Sequence, residues 1–464
     1  MNLLRDITIF INNLFVVYIF IYSFLLFLSI VIGAVTLNSW EKRRKYKTDI
    51  INDYNVGVSI LVPAFNEEVT IIDTIDSLIN LDYKGHEIIV IDDGSTDNTV
   101  NKVIEKYNLV ETNMSVIKKF NTKKVLGYYE AIVNGVNVVL IIKENGGKAD
   151  SLNAGINICR NDYFITIDAD SILKKDALIN ITKPIIFDNN VVAIGGLIRI
   201  SNGMTIVDGS VVDYKFPKEM AVIIQNLEYD RTFLASRILF DAFNGNLIIS
   251  GAFGLFKKDI VLAVGGYSTN TVGEDMELVT RMHEYCLNNR IKYGIKYVPD
   301  AICYTQVPTM VKDLKKQRQR WHIGLFQSLI MHKNMFLNIK YGVVGCFSFL
   351  YYWVYELISP ITEIVGFIFI FISAFLNLIN FRFMLMYSFV YILFCTFFSA
   401  VAFFTRTYTM VNRITFGDSI KIILYSFIEN FGFRQLINFY RFMAFVNYKS
   451  NKNKWGKITR VKNS

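Results

Sequence analysis

The sequence predicts an α/β domain built on a doubly wound, mostly parallel sheet, fused to an α-helical membrane region with amphipathic interface helices. Three observations carry that expectation. Short Val/Ile runs ending in polar loops recur between about residues 50 and 310, the pattern of strands buried on both faces. An uncharged, aromatic-rich run covers 14–35, and about 20 apolar residues suffice to cross a bilayer as a helix. The 464-residue chain is also 52% hydrophobic, above the roughly 45–50% of soluble proteins.

Leu14 to Val35 reads as a transmembrane helix. Lys42, Arg43, Arg44, Lys45 and Lys47 follow it, which places that end in the cytoplasm and separates the run from a cleaved signal peptide. Residues 1–47 thus form an N-terminal helix and basic flank, and 48–307 a cytoplasmic domain. Within that domain the expected strands include Val58–Val62, Ile88–Ile91, Val136–Ile142 and Tyr163–Ile167, each followed by turn residues and a helix. From 308 to 340 the chain turns basic and amphipathic (Lys312, Lys315, Lys316, Arg318, Arg320, Trp321, Leu325, Phe326), which suits a helix in the membrane interface.

About four apolar segments follow within 341–447, near 341–358, 361–380, 383–404 and 420–446. Pro360 separates the first two, and Glu429, Gly432 and Arg434 interrupt the last, so bent or re-entrant geometry is expected there. Glu356 and Glu363 fall inside these segments, where carboxylates face a polar cavity or a partner. The basic tail 448–464 (Lys449, Lys452, Lys454, Lys457, Arg460, Lys462) returns to the cytoplasm.

The formal charge of +9 does not mark a nucleic-acid partner, because the cations gather beside apolar stretches and no recognition motif accompanies them. Five scattered cysteines without CxxC spacing indicate neither a zinc site nor a disulfide framework.

Ligands of doubly wound sheets bind at the carboxyl ends of the strands. Pro63-Ala64-Phe65-Asn66-Glu67, Asp92-Asp93-Gly94-Ser95 and Asp168-Ala169-Asp170 lie at such ends. Asp168 and Asp170 can bring two carboxylates to one hard cation that bridges phosphates; a solvated acidic turn has the same sequence. Asn66, Glu67 and Asp93 can hydrogen-bond a base and ribose, or simply build turns and caps. Gly146-Gly147-Lys148 lacks Walker A spacing, yet Lys148 can meet a diphosphate as a point charge. Glu274-Asp275 opens a helix, where acids either favour the dipole or supply a base. Gln317, Arg318, Arg320 and Trp321 read as a basic interfacial helix with an aromatic anchor, or as a platform on which a sugar stacks while Arg neutralises a leaving diphosphate.

Taken in order, Val62-Pro63-Ala64-Phe65-Asn66-Glu67-Glu68, Asp92-Asp93-Gly94-Ser95, Asn145-Gly146-Gly147-Lys148-Ala149, Asp168-Ala169-Asp170, Ser250-Gly251-Ala252-Phe253-Gly254, Gly273-Glu274-Asp275 and Gln317-Arg318-Gln319-Arg320-Trp321 resemble the motifs of membrane-embedded family 2 glycosyltransferases. The similar branch contains bacterial cellulose, mixed-linkage glucan, poly-N-acetylglucosamine, hyaluronan and chitin synthases. The resemblance covers nearly the whole chain and implies a GT-A-like domain and inverting, processive transfer from a UDP-sugar to a growing β-glycan. It implies Asp275, with Glu274, as the catalytic acids. Pro63, Asn66, Glu67, Asp93, Lys148 and Asp168 would hold the nucleotide sugar. Asp168 and Asp170 would carry Mg2+ or Mn2+. Gln317, Arg318, Arg320, Trp321 and Gly251, Ala252, Phe253 would serve the acceptor and gating. The implied partners are the donor, the glycan, the lipid bilayer and accessory export subunits, with a multi-pass location in the cell membrane. The Ser-Gly-Ala-Phe-Gly stretch with Glu429-Asn430-Phe431-Gly432 and Trp455-Gly456 looks nearest to the cellulose-synthase-like branch, so the expected donor is UDP-glucose. A UDP-N-acetylglucosamine polysaccharide synthase and a non-processive lipid glycosyltransferase are the alternatives.

Overall fold

The computed structural model describes residues 2–46, 56–114, 116, 118–207, 209–408 and 415–451. Lys47 and the tail from Lys452 onward lie outside the described residues. Twelve strands are present among them: β1 (Val58–Ala64), β2 (His86–Asp92), β3 (Val110–Glu111), β4 (Val125–Val133), β5 (Val136–Lys143), β6 (Tyr163–Ile167), β7 (Ile172–Leu173), β8 (Val191–Ile200), β9 (Met204–Val207), β10 (Ser210–Tyr214), β11 (Phe253–Lys257) and β12 (Gly294–Thr305). β9 and β10 pair alone; the other ten form one sheet in the order β3-β4-β5-β2-β1-β6-β11-β8-β12-β7.

The four strands anticipated from the sequence, β1, β2, β5 and β6, are the parallel centre of this GT-A-like sheet. Its flanks are mixed. β11 enters antiparallel between β6 and β8, β12 returns parallel to β8, and β4 runs antiparallel to β5. Period-two alternation sends successive side chains of the centre to opposite faces. Ile60 and Val62 of β1 and Ile88 and Val90 of β2 join Ile71, Ile75 and Leu78 of the helix Ile71–Ile79 and Val103 of the helix Thr99–Tyr107. Leu61, Ile89 and Ile91 face the other way, toward Leu152 and Ile156 of the helix Lys148–Ile158 and Leu278, Val279 and Met282 of the helix Glu274–Asn288. The sheet is therefore covered on both faces, and its polar loops emerge at one edge.

Pro63 fits near the end of β1 because the pairing of β1 with β6 stops at Leu61, where a missing N–H breaks no ladder bond on that side.

Among the described residues two helices, Leu3–Leu37 and Phe381–Phe403, are long and apolar enough to cross a membrane. The segments expected at 341–358 and 361–380 are instead one pair, Val344–Leu357 and Ser359–Phe375, bent by 51°, with Pro360 in the first turn of the second helix. The segment at 420–446 breaks where its sequence suggested: Phe431 and Gly432 leave helical geometry between the helices Phe416–Ile428 and Arg434–Val446. The carboxylates in these apolar segments are paired. Glu356 accepts from Arg441 at 3.0 Å, Glu363 accepts from Asn438, and Glu429 accepts from Arg231 at 2.6 Å. Tyr351 and Tyr352 pack on Phe240, at ring separations of 5.1 and 5.8 Å, so these two aromatics fasten the helical region to the domain.

Gly155, in the helix Lys148–Ile158, sits where a Cβ would stand 3.0 Å from Leu61 and 3.1 Å from Ile91. Gly155→Leu should therefore lower stability by about 1–3 kcal/mol through overpacking, read as a fall in melting temperature; an unchanged melting curve would show that this helix is free to shift.

Candidate active site

The geometry of the site starts from a lysine. Lys143 ends β5 with 0% exposure and ion-pairs with Asp93 at 2.5 Å and Asp150 at 2.7 Å. A buried cation persists only when paired and hydrogen-bonded, and here two carboxylates from different elements meet that need. Asp93 also accepts from Gly146 N at 2.9 Å, Gly147 N at 2.7 Å and Ser151 Oγ at 2.9 Å. The Asn145-Gly146-Gly147 loop is thereby moulded around the end of β2, with Gly147 at φ +88° opening the helix Lys148–Ile158.

Lys148, the first residue of that helix, points across the strand ends. Its Nζ donates to Asp168 Oδ1 and, at 3.2 Å, to the carbonyl of Gly251. Gly251 in turn donates its N–H to Asp275 Oδ2 at 3.2 Å, and Asp275 Oδ1 accepts from Met276 N at 2.8 Å. The end of β6, the loop before β11 and the first turn of the helix Glu274–Asn288 so meet around one ammonium. Burial alone would lower the Lys148 ammonium, but Asp168, Glu274 and Asp275 hold it above its ordinary value. Glu274 is pushed from about 4.5 up to about 7, by burial first and then by the charge of Asp275, against the opposing pull of Lys148 and Arg320.

Asp168 is partly exposed in the cleft and Asp170 is buried. Their carboxylates suit a hard divalent cation. Among the described residues no group of three or more His, Cys, Asp or Glu forms a complete cage, so an ion held by this pair would draw its other oxygens from a phosphate and water.

The acceptor motif lies on the helix Val311–Met331. Trp321 is 40% exposed and stands 6.5 Å from the Tyr229 ring. Arg318, expected to face a ligand, is 5% exposed and bidentate to Glu228 at 2.7 Å through both nitrogens. Its guanidinium lies 4.6 Å from the Trp321 ring, so Arg318, held by Glu228, props the indole. The buried Gln317 Oε1 has no protein partner. The helix meets Gly273 backbone to backbone: a Cβ on Gly324 would fall 2.7 Å from the Gly273 Cα.

Several of the expected site residues also make contacts within the protein. Asn66 Oδ1 accepts from Thr96 N at 2.7 Å, and Glu67 Oε2 accepts from Thr70 Oγ1 at 2.9 Å. With Asp93, these side chains brace the loops after β1 and β2. Asp92 keeps one buried oxygen, Oδ1, without a partner, and burial holds its carboxyl above the usual range. Phe253 is fully buried against Gly196, and Ala252 is also buried, so of the three residues only Gly251 faces the cluster. Lys143 and Glu228 were not singled out from the sequence; a lysine closing an Ile/Val run was the one available hint.

Lys143→Met should cost about 3–5 kcal/mol, because it strands Asp93 and Asp150 without their shared cation; a melting temperature equal to that of the wild type would refute this central pairing. For Glu274 the sign is set by its raised value. Its neutral form favours the fold below pH about 4.5, and that contribution is lost as pH rises through about 7. Between pH 5 and 8 the wild type should lose a few degrees of melting temperature relative to Glu274→Gln, and parallel curves would rule out a buried, elevated carboxyl.

The family described as "Glycosyltransferase like family 2" matches residues 56–324, which hold every strand and the whole cluster. A poly-β-1,6-N-acetyl-D-glucosamine synthase of Staphylococcus aureus is 31% identical over 294 residues, 63% of this chain and 60% of that protein. The synthase of that name from Staphylococcus epidermidis is 29% identical over 370 residues, 79% of this chain and 74% of the relative. Among solved structures, a mannosyltransferase from Pyrobaculum calidifontis in complex with GDP-Man and Mn2+ covers 88% of this chain and 99% of its own, with TM-score 0.49 and 18% identity. With more than half of its length matched to one family, carrying the sheet, the Lys148 cluster and the Gln317–Trp321 segment alike, this chain belongs to glycosyltransferase family 2.

Proposed function

We propose that the chain is a processive, inverting synthase that polymerises UDP-N-acetylglucosamine and passes the product across the cell membrane, with its catalytic domain on the cytoplasmic side. The observation that carries this reading is the convergence of Lys148, Asp168, Gly251 and Asp275. The glucose expected from the sequence finds no support among the staphylococcal relatives, which are named as poly-β-1,6-N-acetyl-D-glucosamine synthases. The N-acetylglucosamine alternative replaces it.

In this reading Asp275 is the base. Gly251 and Met276 hold its two oxygens by N–H donation, which fixes the carboxylate while leaving lone pairs for an acceptor hydroxyl. The hydroxyl O–H bond breaks and its proton passes to Asp275. The oxygen bonds the anomeric carbon from the face opposite the diphosphate, the carbon–phosphate-oxygen bond breaks, and UDP leaves with the electron pair, so an α-linked donor yields a β linkage. Lys148 supplies a positive charge to the departing diphosphate. Asp168 and Asp170 would hold Mg2+ or Mn2+, which when bound neutralises charge on the leaving group. Trp321 offers its ring face to the acceptor sugar, and Gln317 Oε1 accepts from one of its hydroxyls. Asn66, Glu67 and Asp93 act by shaping the loops that receive the uridine.

Detergent-purified protein supplied with Mg2+ or Mn2+ should release UDP from UDP-N-acetylglucosamine far faster than from UDP-glucose and form a polymer cleaved by a β-1,6-N-acetylglucosaminidase. Polymer from UDP-glucose alone would overturn the donor assignment, and single-sugar transfer to lipid would overturn processive synthesis.

A further inference from the structure

The acceptor helix carries a second set of polar contacts beyond Gln317–Trp321. Gln327 is buried, and its Oε1 accepts from Thr271 Oγ1 and from Val272 N, both at 3.0 Å. Thr271 Oγ1 also accepts from Gly273 N at 3.0 Å, which binds the turn to itself. One turn of helix further, His332 stands 3.1 Å from Glu277 Oε1 and 2.6 Å from Glu284 Oε2. Both acids belong to the helix Glu274–Asn288, which begins with the base. The residues between, Gly324 and Ser328, close the joint: Gly324 meets Gly273 backbone to backbone, and Ser328 Oγ lies 3.4 Å from the Gly273 carbonyl.

We infer that Gln327 is a positioning residue for the base, locking Thr271-Val272-Gly273 to the acceptor helix so that Asp275 and Trp321 keep a fixed spacing. The inference rests on Asp275 being the base. A loop with two hydrogen bonds to one amide oxygen has little freedom to slide along the helix. The reacting hydroxyl must lie within hydrogen-bond reach of the carboxylate while its sugar ring rests on the indole, and a displacement of about 1 Å between the two can cost 100-fold in rate. Donor binding is assigned to Lys148 and Asp168, which belong neither to the Thr271-Val272-Gly273 loop nor to the helix Val311–Met331, so loosening that joint should leave it unchanged.

The test is steady-state kinetics on the purified full chain with UDP-N-acetylglucosamine, together with UDP affinity. Gln327→Ala should lower kcat at least 10-fold while the donor KM and UDP affinity stay within twofold. Thr271→Val, which loosens the same loop from its other side, should do likewise and also serves if Gln327→Ala does not fold. The double variant should be no slower than the worse single one, because both remove one joint. Unchanged kcat in either variant, losses that multiply in the double variant, or a KM that rises as far as kcat falls would each overturn the inference. Asp275→Asn run alongside separates the two ideas: retained turnover there refutes the base itself, whereas an inactive Asp275→Asn beside a normal Gln327→Ala refutes only the positioning role.

Discussion

A positive charge sealed from solvent organises the catalytic face. Lys143 has no exposed surface, and water cannot stabilise its ammonium, so Asp93 and Asp150 must stay where they are. Because Asp93 also anchors the N–H groups of Gly146 and Gly147, the need to satisfy one cation dictates the path of the loop that launches Lys148. The second acid of the DDG motif thus shapes the Asn145-Gly146-Gly147 loop through a lattice of hydrogen bonds.

The centre of the sheet was readable because strands buried on both faces show as unbroken Val/Ile runs, and β1, β2, β5 and β6 do. The flanks were not. β4 is half exposed along much of its length and carries Glu130, so its pattern is diluted, and the insertion of β11 between β6 and β8 is a tertiary choice with no local signal. The same holds at the site. Asp275, Lys148 and Trp321 stand in short motifs whose order is informative, and the first two are brought together. Arg318 looked equally exposed in sequence because its partner Glu228 lies 90 residues earlier in a helix without any motif. Phe253 sits beside Gly251 in one motif, yet strand alternation turns its ring into the core.

That motif-free helix, Met220–Arg231, links the two halves of the molecule. Glu228 clamps Arg318, Tyr229 approaches Trp321, and Arg231 reaches Glu429 at the broken helix and Ser399 in the helix Phe381–Tyr408. Within one turn it touches the Arg318–Trp321 pair and the broken helix of the apolar region, whose Glu429 would otherwise be a bare buried charge.

Gly273 and Gly324 leave no room between the turn before Asp275 and the helix Val311–Met331 for even one methyl group. Over evolutionary time such a joint offers no dial: neither position can drift by small steps, since each first step already collides with main chain. The spacing of these two elements therefore resists gradual change, a steric constraint that open positions such as Gly147 do not share.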